Sequence, residues 1–133
     1  MKSLVAEDDF ISRMIMQEML SPYGICHIAV DGEEAMEAYH AALNNKEPYD
    51  LIFLDIMMPK LDGQEVLQKI REHELQAGIG GSDITKVIMT TALNDPQNIM
   101  KSLVKGHCEA YLIKPIDKNK LINELKKLGL VAG

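Results

Sequence analysis

Asp55 stands at the end of an unbroken apolar run, Leu51-Ile52-Phe53-Leu54, which Pro59 soon closes. Such a run fits a central strand of a parallel sheet covered on both faces, and in open parallel sheets ligands sit outside the carboxyl ends of the strands. A cap or turn is the commoner post for a lone aspartate, so the position gains meaning only from its company. Leu4-Val5-Ala6 runs into Glu7-Asp8-Asp9, Val87-Ile88-Met89 into Thr90-Thr91-Ala92, and Tyr111-Leu112-Ile113 into Lys114-Pro115. Acids, hydroxyls and an ammonium therefore gather at one sheet edge. Clustered carboxylates repel one another unless a proton or a hard cation lies among them, and oxygen ligands suit Mg²⁺ or Ca²⁺. A carboxylate nucleophile beside a divalent cation, a lysine and a hydroxyl is a kit for accepting a phosphoryl group. Cation and lysine neutralise charge on the equatorial oxygens, and the hydroxyl donates a hydrogen bond to one of them.

Five strands alternating with five helices are predicted to position these ends, the pattern of a parallel sheet. The first helix spans about Phe10 to Leu20, with Ile11, Met14, Ile15 and Met19 expected on its inner face, and stops before Pro22. A strand lies within Ile25 to Val30. Asp31 caps the second helix, with Glu34 three later in a capping-box pattern. The central strand covers Asp50 to Leu54, and Asp62 with Glu65 repeats the box ahead of Val66, Leu67 and Ile70. After a strand at Lys86 to Thr90, Asp95-Pro96 opens a fourth helix striped by Ile99, Met100, Leu103 and Val104. The last strand is Ala110 to Ile113, and Asp117 caps a final helix whose Leu121, Ile122, Leu125 and Leu128 face inward before Gly129 ends it.

This assignment turns Asp31, Asp62, Asp95 and Asp117 into caps rather than catalytic acids. The nine methionines fall mostly at core positions and read as packing. His27, His40, His73 and His107 are scattered over different elements with no ligand spacing. Gly78-Ile79-Gly80-Gly81 lacks a following Gly-Lys-Ser/Thr and a preceding strand, so it is a flexible connection, not a phosphate loop.

Composition agrees. At 133 residues with 47% apolar side chains, the chain is expected to form one domain with a sizeable core. Twenty acids against 14 bases leave a net charge of −6, which argues against direct binding to nucleic acid or to an anionic membrane surface. No apolar run approaches the roughly 18 residues of a membrane span. Lys2 leads at once into a strand rather than a secretory leader, so a cytoplasmic location is expected. Cys26 and Cys108 match no metal spacing and read as buried thiols.

Taken in order, these segments resemble the receiver domains of two-component response regulators, of the stand-alone, CheY-like kind, over about residues 2 to 128. The resemblance rests on the acidic pair after the first strand, Asp-x-x-Met-Pro-x-x-Asp-Gly over Asp55 to Gly63, Thr91-Ala92, and Lys114-Pro115. It implies a single flavodoxin-like domain over residues 1–133, a doubly wound five-stranded parallel sheet of order 2-1-3-4-5 with five helices, and no effector domain. It also implies that Asp55 is the phosphoacceptor and that Lys114 contacts the carboxylate and the phosphoryl group. Thr91 is then the switch hydroxyl, and Tyr111 the aromatic residue that changes rotamer on activation. Mg²⁺, or Mn²⁺, would be held by Asp8, Asp55 and the backbone carbonyl of Met57, with Glu7 acting through water. The acidic run is three residues long, so its register needs an argument. Arg13 stands five after Asp8, as the arginine of the first helix commonly does in this family, which favours Glu7 and Asp8. A one-residue slip to Asp8 and Asp9 stays open.

The implied phosphodonor is a sensor histidine kinase or a histidine phosphotransfer protein. The implied output is an unidentified protein bound to the fourth helix, fifth strand and fifth helix. Such a domain phosphorylates and dephosphorylates itself but turns over no free substrate, so it is not classed as an enzyme. One departure stands out: Asp55 and Thr91 are 36 positions apart, longer than in compact receivers, with the excess in a Gly-rich loop over Gln76 to Asp83 that is expected to protrude. Two other protein classes share parts of this pattern. A phosphohydrolase of the haloacid dehalogenase type would want a second aspartate two residues after its nucleophile, where this chain has Met57. A pseudo-receiver would lack one of the site residues, and each is present.

Overall fold

The structure, a computed structural model, describes residues 1–91 and 108–132. Five parallel strands, β1 (Lys2–Ala6), β2 (Ile25–Ala29), β3 (Leu51–Asp55), β4 (Lys86–Thr91) and β5 (Ala110–Ile113), form one sheet of order β2-β1-β3-β4-β5. The expected order is thus the observed one. The described helices are α1 (Phe10–Leu20), α2 (Gly32–Asn44), α3 (Gly63–Ala77) and a C-terminal helix (Lys118–Lys127). The helix expected from Asp95, with its stripe of Ile99, Met100, Leu103 and Val104, lies outside the described residues, as does His107.

Side chains alternate between the two faces of a strand, and both faces here are covered. Leu4, Ala6, Ile52, Leu54, Val87 and Met89 pack against Tyr39 of α2 and Val66, Leu67 and Ile70 of α3. Val5, Phe53, Ile88 and Leu112 pack on the opposite face against Met16 and Leu20 of α1 and Leu121 and Leu125 of the C-terminal helix. β3 is buried along its whole length, which is why its sequence is continuously apolar rather than alternating. Each such leucine or isoleucine contributes about 1.5–3 kcal/mol on burial.

Two of the expected caps fix where helices leave the sheet. Asp31 Oδ1 accepts from the Glu34 N–H at 2.8 Å, and Asp62 and Glu65 form a full capping box with bonds of 2.9 and 3.2 Å. Asp117 departs from expectation. It stands at the cap position, but its side chain makes no cap hydrogen bond, and the C-terminal helix is held by the burial of Leu121 and Leu125.

The inner face of α1 also differs from the sequence reading. Ile11, Met14 and Ile15 are 59, 52 and 44% exposed, while Met16 and Leu20 are buried and Met19 partly so. The reason is local. Asp9 caps the helix and Arg13 turns back to donate to the Glu7 and Asp8 carbonyls, so the helix is rotated to point Arg13 and, at helical spacing, Met16 and Leu20 inward. Phe10, Ile11, Met14 and Ile15 are left as an exposed apolar face beside the β1–α1 loop.

The methionine reading holds for Met16, Met58 and Met89, which are buried, but not for Met14 or Met57, which are exposed. The histidines are not all apart: His40 and His73 come together with ring centroids 5.2 Å apart, both edge-on to Tyr39. Cys108 is buried and Cys26 half-buried, both as free thiols. The expected loop is shorter than Gln76 to Asp83: α3 runs through Ala77 and ends at Gly78 in the left-handed region, a 3-10 turn covers Gly81–Asp83, and Gly78, Gly80 and Gly81 have open space around them.

Candidate functional site

Asp55 is the last residue of β3 and only 4% exposed. Its backbone is pinned from both sides. The next N–H, that of Ile56, donates to the Thr90 carbonyl at 2.9 Å, and the Gly63 N–H donates to the Ile56 carbonyl at 3.1 Å. A Cβ on Gly63 would lie 2.4 Å from the Asp55 carbonyl oxygen, so only glycine lets α3 start this close to the strand end. Asp55 Oδ1 accepts from the Met57 N–H at 3.1 Å, while Oδ2 faces the Lys114 ammonium at 3.0 Å. Lys60, in the left-handed region at φ 70°, pairs with Asp31 at 3.4 Å and ties the loop after β3 to the start of α2.

Lys114 follows β5 directly, and its N–H donates to the Thr91 carbonyl at 2.7 Å, locking the two strand ends together. Its ammonium reaches Glu7 as well as Asp55. Glu7, at the end of β1, is 3% exposed, and its N–H bonds to the Ala29 carbonyl of β2 at 3.0 Å. Three strand ends thus meet through one lysine.

Arg13 shapes the acidic loop by donating to the carbonyls of Glu7 at 3.0 Å and Asp8 at 2.9 Å. Asp9 turns the other way and caps α1 through the Ser12 N–H at 2.8 Å. Glu7, Asp8 and Asp55 each bring a carboxylate oxygen within 4.8 Å of the others. The convergent acids are therefore Glu7 and Asp8, with Asp9 occupied as a cap. Glu7 and Asp55 are buried and Asp8 is exposed, so the cluster is open to solvent on the Asp8 side.

The electrostatics follow from this crowding. Burial, then the neighbouring Asp55 carboxylate, pushes the Glu7 carboxyl above its ordinary range, against the pull of Lys114. Burial and Glu7 do the same to Asp8. Asp9 moves down, because the Ser12 N–H stabilises its anion. Burial works against the charge on Lys114, but its bonds to Glu7 and Asp55 outweigh that and raise its pKa. The ammonium stays charged at neutral pH. Three carboxylates facing one ammonium leave excess negative charge in a pocket of oxygen donors, and this fits a hard divalent cation such as Mg²⁺.

Thr91 is buried at the end of β4, in register with Ile113 of β5. Tyr111 is exposed on β5, opposite Met89. Met57 is 71% exposed and follows Asp55 by two residues. Two contributors were not singled out from sequence for what they do. Arg13 marks the acidic register in the sequence, and its clamp on the Glu7 and Asp8 carbonyls emerges only from the fold. Gly63 is part of a motif in the sequence, and its close approach to Asp55 likewise emerges only from the fold.

A flavodoxin-like sheet with acids, a threonine and a lysine at its carboxyl edge defines the class of signal-receiving α/β domains. The chain belongs to the response regulator receiver domain family, whose model matches residues 4–126. It is 34% identical over 124 residues to the chemotaxis protein CheY of Treponema pallidum, covering 92% of this chain and 78% of that protein. It is similar in structure, with a TM-score of 0.81 and 28% identity over 97% of this chain and 88% of the other, to a chain in a Saccharomyces cerevisiae co-crystal. That crystal holds the histidine phosphotransfer signaling protein Ypd1 and the receiver domain of its downstream response regulator Ssk1. A third similarity, with a TM-score of 0.80 and 26% identity over 96% of this chain and 89% of the other, is to the receiver domain of the Arabidopsis thaliana histidine kinase CKI1 complexed with Mg²⁺ and BeF₃⁻. The chain spans only 12% of the length of the rice proteins named probable histidine kinase 2 that it also matches. Among the described residues, no helix is long and apolar enough to cross a membrane.

Proposed function

We propose that this domain is a phosphorylation-controlled cytoplasmic switch that takes a phosphoryl group onto Asp55 from a phosphohistidine of a sensor kinase or histidine phosphotransfer protein. The observation that carries the reading is the convergence of Glu7, Asp8 and Lys114 on the buried Asp55 carboxylate. An Asp55 carboxylate oxygen attacks phosphorus, the O–P bond forms as the P–N bond breaks, and the imidazole leaves with the electron pair and takes up a proton. Lys114, 3.0 Å from Oδ2, is placed to hold a phosphoryl oxygen, and the Met57 N–H orients Oδ1. Asp8, Asp55 and the Met57 carbonyl would hold Mg²⁺, with Glu7 acting through water, and the ion would neutralise charge developing on the phosphoryl oxygens. The exposed apolar face of α1 adjoins the acidic loop and supports a protein donor, since contiguous apolar patches mark contact surfaces.

The test uses acetyl phosphate and Mg²⁺ with intact-mass detection. Wild type is expected to gain one phosphoryl group and Asp55→Asn none, and chelation of the cation should abolish the gain. Equal modification of the variant contradicts the assignment.

Output is assigned to a partner bound at the surface of β5, the C-terminal helix and the helix expected from Asp95. Phosphorylation draws Thr91 toward the phosphoryl group and lets Tyr111 move, shifting that surface. Amide exchange with and without fluoroberyllate should change mainly between residues 92 and 117. Changes concentrated in α2 and α3 instead would mean that the signal leaves by another route.

A further inference from the structure

A cavity of about 110 Å³ lies behind the acidic cluster, on the sheet face covered by α1. Its walls are mainly apolar, with Val5 and Phe53 from the sheet, Met16 from α1 and Ile116 from the segment after β5, and the hydroxyl-bearing Ser12 and Thr90 line it as well. Ile15 and Pro115, both exposed, form its rim, so it reaches the surface. Glu7 and Lys114 also line it, ion-paired with each other, so neither group enters the cavity without a charged partner. The chemistry of the lining therefore selects a neutral, apolar occupant.

Size narrows the choice. Drug-sized ligands fill pockets of roughly 300–1,000 Å³, far larger than this one. An apolar cavity of roughly 150 Å³ stays dry and takes up benzene, because a water inside would lack the two to four polar partners it needs. The present volume, open at its rim, is of that order. From the cavity's volume and its mainly apolar walls, we infer that the domain has a second binding site, between α1 and the segment after β5, for a small neutral apolar molecule of about benzene size. An occupant there lies against the Glu7–Lys114 pair and so touches the phosphoryl-accepting centre from behind. The site does not depend on phosphorylation, and its test is made on unmodified protein, so failure of the proposed function would leave it standing.

The experiment is a titration of the full chain with benzene, followed by methyl NMR. Saturable shifts are expected at the methyls of Ile15, Met16 and Ile116, with none at Leu67 and Ile70 on the opposite face of the sheet. Ile116→Phe, which fills the cavity, should weaken binding at least tenfold, whereas Ile116→Ala should retain or tighten it. Thermal melts establish that both variants fold; if Ile116→Phe does not, Ser12→Leu fills the same space from α1. The inference is overturned if wild type shows no saturable shift up to the solubility limit of benzene, if a folded filling variant binds as well as wild type, or if Ile116→Ala loses binding.

Discussion

Arg71→Leu is expected to destabilise the domain by about 3–5 kcal/mol, the range for removing one partner of a buried ion pair. Arg71 joins α3 to the amino ends of β4 and β5. It donates to Glu74 at 2.7 Å, to the Thr85 carbonyl at 2.8 Å and to both oxygens of Glu109 at 3.0 Å. The two carboxylates in turn accept the Thr85 and Val87 N–H groups at 2.7 and 2.6 Å. Without the guanidinium, Glu74, whose side chain is 4% exposed, is left as a buried anion. Urea unfolding measures the loss. Replacing Arg71 and Glu74 together by leucine should recover part of it, because the uncompensated buried charge goes too. A loss below about 1 kcal/mol for Arg71→Leu alone would show that the network is energetically idle.

Asp8→Ala and Asp9→Ala are expected to fail in different ways, although the residues are adjacent. Asp8 belongs to the convergent carboxylates, so its loss should weaken Mg²⁺ binding at least tenfold, or about 1.4 kcal/mol. Asp9 caps α1, so its loss should lower the melting temperature and leave Mg²⁺ affinity within about twofold. Calorimetric Mg²⁺ titration and thermal melts of both variants separate the two roles. If Asp9→Ala is the variant that loses the cation, the acidic register has slipped by one residue and the assignment of Glu7 and Asp8 is wrong.

Much of this was legible in the sequence because strands buried on both faces must be continuously apolar. The four polar strand ends could therefore be read directly, and with them the sheet edge where they collect. Caps were legible for a similar reason: Asp31 and Asp62 sit three residues before a glutamate, and the box has a fixed spacing, although at Asp31 only half of it forms, since the Glu34 carboxylate accepts from the Val30 N–H instead of the Asp31 N–H. The inner face of α1 was not legible. That helix is apolar over most of its circumference, and its rotation is set by Arg13 and Asp9 bonding to the loop before it rather than by periodicity. Nor could spacing reveal the Arg71 network, since Arg71 and Glu109 are 38 positions apart and meet only because β5 lies beside β4. The pairing of His40 with His73 was hidden in the same way, one on α2 and one on α3. Asp117 looked like a cap from its position alone, but without a box partner its side chain had nothing to fix it.

The most direct measurement is chemical trapping of the phosphorylated residue. An aspartyl phosphate is an activated acyl group, so borohydride reduces it to the alcohol of homoserine while ordinary carboxylates are untouched. Wild-type protein treated with acetyl phosphate and Mg²⁺, reduced and sequenced by tandem mass spectrometry, should carry homoserine at position 55 and at no other aspartate. Homoserine at Asp8 or Asp9, or its absence from position 55 in protein that has gained a phosphoryl group, would contradict the account.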